Sequence, residues 1–111
     1  MSDPLPLLKG TLDVLVLKAL AWAPMHGFEI ASWLESRSSG SFDVDDGALY
    51  YALHRMEERG LIASEWRLTD NNRRARYYKM RPAGRAHLRA EGANLARYAR
   101  ALTEILSSPS S

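Results

Sequence analysis

From Val44 to Met80 the chain reads VDDGALYYALHRMEERGLIASEWRLTDNNRRARYYKM, and the period of its apolar residues changes partway along. Leu49, Ala52, Leu53 and Met56 recur at the three- and four-residue spacing of one buried helical face. Asp45 stands where an N-cap accepts a backbone N–H, and Asp46 suits the positive end of the helix. Gly60 fits the left-handed position after the last turn, with Leu61 folding back as the accompanying apolar contact. The period then drops to two. Ile62, Ser64 and Trp66 alternate with Ala63, Glu65 and Arg67, as a half-buried strand requires. Thr69-Asp70-Asn71-Asn72 supplies turn residues, and Arg74 to Met80 returns with Tyr78 and Met80 on one face and Tyr77 and Lys79 on the other.

Two more helices precede this unit. Leu12, Leu15, Val16, Ala19 and Leu20 mark the buried face of a segment running from Leu8 to Trp22, which Pro24 stops. A second starts near His26-Gly27, with Phe28, Ile30, Trp33 and Leu34 as its apolar set, and runs to about Ser36. Ser38-Ser39-Gly40-Ser41 reads as a loop. Three helices and a hairpin make a winged helix-turn-helix, so the fold class is mainly α with a small β-hairpin.

Pro82 sits where a helix can begin, because the N–H it lacks would be unpaired there. The 25 positions from Pro82 to Leu106 make roughly 37 Å of helix. Leu88, Leu95 and Leu102 recur every seven residues, and Tyr98, Ile105 and Leu106 fill the stripe between them. A domain of about 80 residues cannot cover so long a stripe, so these six side chains are expected in a homodimer interface. Gly92 within the stripe suggests a close approach that needs no side chain. The expected division is a DNA-binding domain over 1–81 and a dimerisation helix with a short tail over 82–111.

With 111 residues, 46% hydrophobic and 25% charged, the composition is that of one folded domain. There is no cysteine, which excludes disulfides and thiolate sites, and no apolar run long enough to span a membrane, so a cytoplasmic protein is expected. The net charge of +2 conceals an asymmetry. Residues 1–64 hold five Lys/Arg against nine Asp/Glu, and residues 65–111 hold ten against four. Twelve of the fifteen basic residues are Arg, whose planar fork suits phosphate and guanine. A basic stretch is also what an ordinary solvated face carries, so position has to decide.

Position favours duplex DNA. With the core face turned inward, the outward face of the 45–58 helix carries Gly47, Ala48, Tyr50, Tyr51, His54 and part of Arg55. Gly47 and Ala48 let the helix start approach a groove, while Tyr51 and His54 can donate to bases or phosphates. Tyr50 reads equally well as a core aromatic. Arg73, Arg74 and Arg76 cluster at the wing, where a narrow minor groove concentrates negative potential. The competing reading is a winged-helix module for protein assembly or RNA contact, which the acidic pairs Asp45-Asp46 and Glu57-Glu58 would suit. Trp22, Trp33 and Trp66 are expected in the core, with a ligand-stacking role open to one of them. Catalysis is disfavoured: His26, His54 and His87 fall on three helices, His26 reads as a helix-start residue, and no phosphate loop or nucleophile elbow occurs. No cofactor is expected.

Several segments also resemble a known family. Leu8-Lys9-Gly10-Thr11-Leu12-Asp13 and His26-Gly27-Phe28-Glu29-Ile30 are similar to the first two helices of PadR-type regulators. Gly47 to Glu57 resembles their recognition helix, Arg73-Arg74-Ala75-Arg76-Tyr77-Tyr78 their wing, and Pro82-Ala83-Gly84-Arg85 the start of their last helix. The likeness covers about residues 7–106. It implies a transcriptional regulator of the short form, usually a repressor, that dimerises through its C-terminal helix and binds an inverted-repeat operator. It also implies control by a phenolic or other planar hydrophobic effector, for which Trp22 and Tyr98 are the candidate contacts; some members respond to metals. Two positions depart from the pattern. Tyr51 replaces the usual Pro, and Arg81, a poor N-cap, replaces the usual Thr.

Overall fold

A computed structural model describes residues 3–8 and 10–110. Its elements are α1 (Thr11–Trp22), β1 (Met25–His26), α2 (Gly27–Arg37), α3 (Asp46–Glu58), β2 (Ile62–Leu68), β3 (Arg74–Met80) and α4 (Pro82–Leu106). The winged helix-turn-helix expected from the sequence is present, and the ends of α3 are those its residues predict. The Asp45 carboxylate accepts the Ala48 N–H at 2.9 Å. Gly60 has φ +74°, and the N–H groups of Gly60 and Leu61 donate to the Glu57 and Met56 carbonyls, closing the last turn. Leu49, Ala52, Leu53 and Met56 are the buried residues of this helix.

At α2, His26 and Glu29 satisfy each other. The Glu29 N–H donates to His26 Nδ1 at 3.3 Å, and the His26 N–H donates to Glu29 Oε1 at 3.1 Å. His26 also belongs to β1, which the sequence reading did not contain. The hairpin is thus part of a three-stranded antiparallel sheet in the order β1-β3-β2, with Met25 opposite Tyr78 and His26 opposite Tyr77.

Leu17, Ile30, Met56 and Ile62 bring α1, α2, α3 and β2 together in the fully buried centre. Several apolar residues expected there lie outside it. Phe28 is 78% exposed, Trp22 69% and Trp66 56%, while Trp33 is half-buried. Helix α1 begins at Thr11 rather than Leu8, after Gly10 takes a left-handed conformation with φ +86°.

Helix α4 has the expected span, but its root is packed within the protomer. Gly84 lies against the Leu61 carbonyl, and that oxygen also accepts the Arg81 N–H at 3.0 Å. Farther along, α4 crosses α1. Leu88 and Leu95 are consequently half-buried, with Leu88 packed on the protomer's own core, while Tyr98, Leu102, Ile105 and Leu106 remain exposed. A Cβ on Gly92 would make only ordinary contacts with Leu88 and with Val14 of α1, so nothing within the protomer requires a glycine there. Because the distal half of α4 projects from the body, the radius of gyration is 15.7 Å, against the ~13 Å of a compact chain this long.

Candidate nucleic-acid interface

The outward face of α3 is open. Gly47, Ala48, Tyr50, Tyr51 and His54 are all exposed, which resolves Tyr50 as a surface residue rather than a core aromatic. The Tyr50 and His54 rings lie parallel with centroids 6.2 Å apart, and Tyr51 meets Tyr50 edge-on at 6.1 Å. His54 Nε2 sits 2.8 Å from Glu58 Oε1, which ties that imidazole toward the helix C-terminus. The start of α3 is flanked by the segment 3–8, whose Leu5 N–H donates to the Ser41 carbonyl at 2.8 Å. Leu5 and Leu8 are exposed beside Ala48 and Tyr51, an arm that no pattern in the sequence had marked.

Arg55 stands at the edge of this face with a second task. Its Nη2 lies 2.7 Å from Oδ1 of Asp13, a residue only 7% exposed in the first turn of α1. The pair fixes α3 against α1 and offsets much of the Arg55 charge.

The wing stands beside α3. Its turn closes through the Thr69 N–H on the Arg73 carbonyl at 2.7 Å, with Asn72 left-handed at φ +62°. Cross-strand register opposes Trp66 to Arg76 and Leu68 to Arg74, so these four share one face. The three wing arginines differ in their surroundings. Arg76 Nε donates to Ser64 Oγ at 2.7 Å, its Nη2 lies 3.4 Å from Glu57 Oε2, and the Ser64 hydroxyl donates to that same oxygen at 2.6 Å. Arg74 lies over the Trp66 ring, and Arg73 is exposed at the tip. On the opposite face Arg67 covers Tyr77 at 4.2 Å and lies 3.5 Å from Glu65. Between α3 and the wing runs a groove lined by Tyr50, His54, Glu57, Glu58, Arg76 and Tyr78. Burial raises the Tyr78 phenol above its ordinary value, an effect the Arg76 charge opposes.

Three of the four acidic residues that suited an assembly surface are engaged within the protomer. Asp45 caps α3, and Glu57 and Glu58 hold Arg76 and His54. Trp22 and Tyr98, the effector candidates, line different surfaces of one protomer: Trp22 stacks with Arg37 of α2, and Tyr98 projects from distal α4. Among the described residues no group of three His, Cys, Asp or Glu could hold a metal ion, and no helix is long and apolar enough to cross a membrane.

Known proteins share this arrangement. A PadR family transcriptional regulator from Eggerthella lenta is 27% identical, with a TM-score of 0.73 over 91% of this chain and 86% of that one. A PadR family transcription regulator from Clostridium difficile is 26% identical, with a TM-score of 0.73 over 88% of this chain and 100% of that one. The transcriptional regulator Rv3488 of Mycobacterium tuberculosis is 43% identical over 65 residues, 58% of this chain and 56% of that protein. The profile of the transcriptional regulator PadR-like family matches residues 16–90, from the middle of α1 across α3 and the wing into α4, and the chain belongs to that family of DNA-binding, non-enzymatic regulators.

Proposed function

We propose that the protein binds duplex DNA sequence-specifically as a symmetric homodimer at an inverted-repeat operator, and represses where that operator overlaps a promoter. The observation that carries this reading is the unobstructed face of α3, with Gly47, Ala48, Tyr51 and His54 exposed beside an arginine-bearing wing. Small residues at the helix start admit the backbone to the major groove, and Tyr51 and His54 reach base edges. Arg73 and Arg74 meet phosphates or the adjacent minor groove, adding affinity for any sequence. Arg76 shares its charge with Glu57 and contributes less.

Two features support the dimer. The distal half of α4 exposes Tyr98, Leu102, Ile105 and Leu106, and an apolar groove between α1 and α4 is lined by Val14, Leu15, Leu88, Leu95 and Ala99 among others. A two-fold operation that lays the distal half of one α4 along the groove of the second copy covers both at once. Two recognition helices related in this way read an inverted repeat with half-sites about one helical turn, ~10 bp, apart or a multiple of it. A planar apolar effector between Trp22 of one copy and Tyr98 of the other would act by favouring one dimer geometry.

The test is selection from random duplexes, followed by competition binding at several salt concentrations. Tyr51→Ala and His54→Ala relax sequence preference, and Arg74→Ala weakens all binding and flattens its salt dependence. Equal affinity for selected and random duplexes refutes the proposal. Leu102→Lys or Ile105→Lys yields monomers in sedimentation, and an intact dimer for both refutes this interface.

A further inference from the structure

Trp66 has no core to fill. It lies past the buried base of the hairpin, where Ile62 and Tyr78 reach the centre, and the residue is 56% exposed. Two guanidinium groups approach that ring, Arg74 at 5.2 Å and Arg76 at 5.8 Å. The two differ in what else holds them. Arg76 is anchored to α3 through Ser64 and Glu57. Arg74 has no ion pair among the described residues, and its guanidinium lies over the indole. The wing therefore contains one cation whose charge is opposed by a carboxylate of α3, an aromatic plate beside it, and a second cation with its charge unopposed.

We infer that Trp66 is a positioning residue for DNA binding. Its indole, braced by the anchored Arg76, orders the Arg74 guanidinium before a phosphate arrives. An arginine on a solvent-exposed hairpin otherwise samples many rotamers and must lose that freedom on binding. Ordering a rotamer-rich side chain in advance is worth about twofold to tenfold in affinity. Arg67 and Tyr77 show the contrast: that arginine is also stacked, yet Glu65 opposes its charge. The inference rests on the DNA-binding reading above and goes beyond it by assigning a role to a residue that need not touch the duplex.

The experiment has an arm without DNA and an arm with it. In the unbound protein, ¹⁵Nε relaxation shows an ordered Arg74 side chain that becomes disordered in Trp66→Ala and stays ordered in Trp66→Phe, which keeps an aromatic face. On the selected duplex, Trp66→Ala weakens binding by about twofold to tenfold per subunit with an unchanged salt slope, since Arg74 still reaches its phosphate. Arg74→Ala instead lowers the slope by about two ions per dimer, one for each subunit, and adding Trp66→Ala to it changes nothing further. An Arg74 that is already disordered in the unsubstituted protein overturns the inference. So does a several-fold effect of Trp66→Ala in the Arg74→Ala background, which would make Trp66 itself the contact. Failure of the unsubstituted protein to select any duplex overturns the DNA reading together with this inference, and the first binding measurement distinguishes that case.

Discussion

Gly84 and Gly92 both lie within α4, and helix propensity alone favours alanine over glycine at either by about 1 kcal/mol. Packing gives the two substitutions opposite signs. A Cβ on Gly84 would fall inside the van der Waals envelope of the Leu61 carbonyl oxygen, 3.0 Å from the carbonyl carbon and 3.1 Å from Met80 Sδ. The methionine can swing aside. The carbonyl cannot, because it accepts the Arg81 N–H at 3.0 Å while the Leu61 N–H is bonded to the Met56 carbonyl. Relief must come from lifting the root of α4 off the body. Overpacking of this kind costs about 1–3 kcal/mol, and a backbone obstacle puts it at the upper end. Set against the propensity gain, the net loss is about 2 kcal/mol, or a melting temperature lower by roughly 10 °C.

At Gly92 a Cβ would meet Leu88 Cδ1 at 3.7 Å and Val14 Cγ1 at 3.9 Å, ordinary contacts that add a little burial. Gly92→Ala should therefore raise stability by about 1 kcal/mol, roughly 5 °C. Both variants are compared with the parent by urea and thermal denaturation followed by far-UV circular dichroism. Protein concentration is held fixed, since dimerisation would make the midpoints depend on it. A Gly84→Ala protein as stable as the parent refutes the packing at the root of α4. A Gly92→Ala protein less stable than the parent means that something other than Val14 and Leu88 lies against that position, and a second copy becomes the first suspect.

The remaining predictions concern caps, a half-buried ion pair and alkaline pH. Arg81 caps α4 with extended backbone and no side-chain hydrogen bond, so Arg81→Thr should raise the urea midpoint by the equivalent of about 1 kcal/mol; an unchanged midpoint contradicts the capping argument. Arg55→Ala leaves the Asp13 carboxylate without its partner, and because Arg55 is itself 53% exposed the loss should be about 1–2 kcal/mol rather than that of a fully buried pair. Adding Asp13→Asn should recover part of it in a double-mutant cycle, and strict additivity would deny the coupling. Burial raises the folded pKa of Tyr78 above 10.0, so its contribution is fully present below that pH and is lost as pH rises through the folded value. Tyr78→Phe should weaken the loss of stability as pH rises above about 10, and identical alkaline profiles would count against it.

How much of this could be read in advance depended on whether the deciding partner was near in sequence. Helix α3 was legible because its signals are local: Asp45 caps it from three residues before Ala48, and Gly60 and Leu61 close it. The same holds for His26 and Glu29 at the start of α2. Strand β1 was not legible, since two residues carry no period, and it exists only because β3 offers it an edge. Burial failed in one direction. Trp22, Phe28 and Trp66 are apolar by type, but the exposure of an apolar side chain depends on what covers it, and a small domain cannot cover them all. For α4 the heptad period found the stripe without showing that α1 of the same chain covers its first half.

The candidate site divides along the same line. Spacing alone put Gly47, Ala48, Tyr51 and His54 on the outward face of α3, and charge clustering alone marked Arg73, Arg74 and Arg76. Neither could tell these arginines apart. Arg76 is neutralised by a glutamate 19 positions earlier in the chain, on a different element, and the serine that bridges them lies across the sheet. Arg55 is likewise occupied by an aspartate 42 positions away. Long-range carboxylates therefore decide which cations a phosphate can claim. The positive charge that the sequence spreads evenly over the wing is concentrated by the fold at Arg73 and Arg74, with Trp66 beneath the latter.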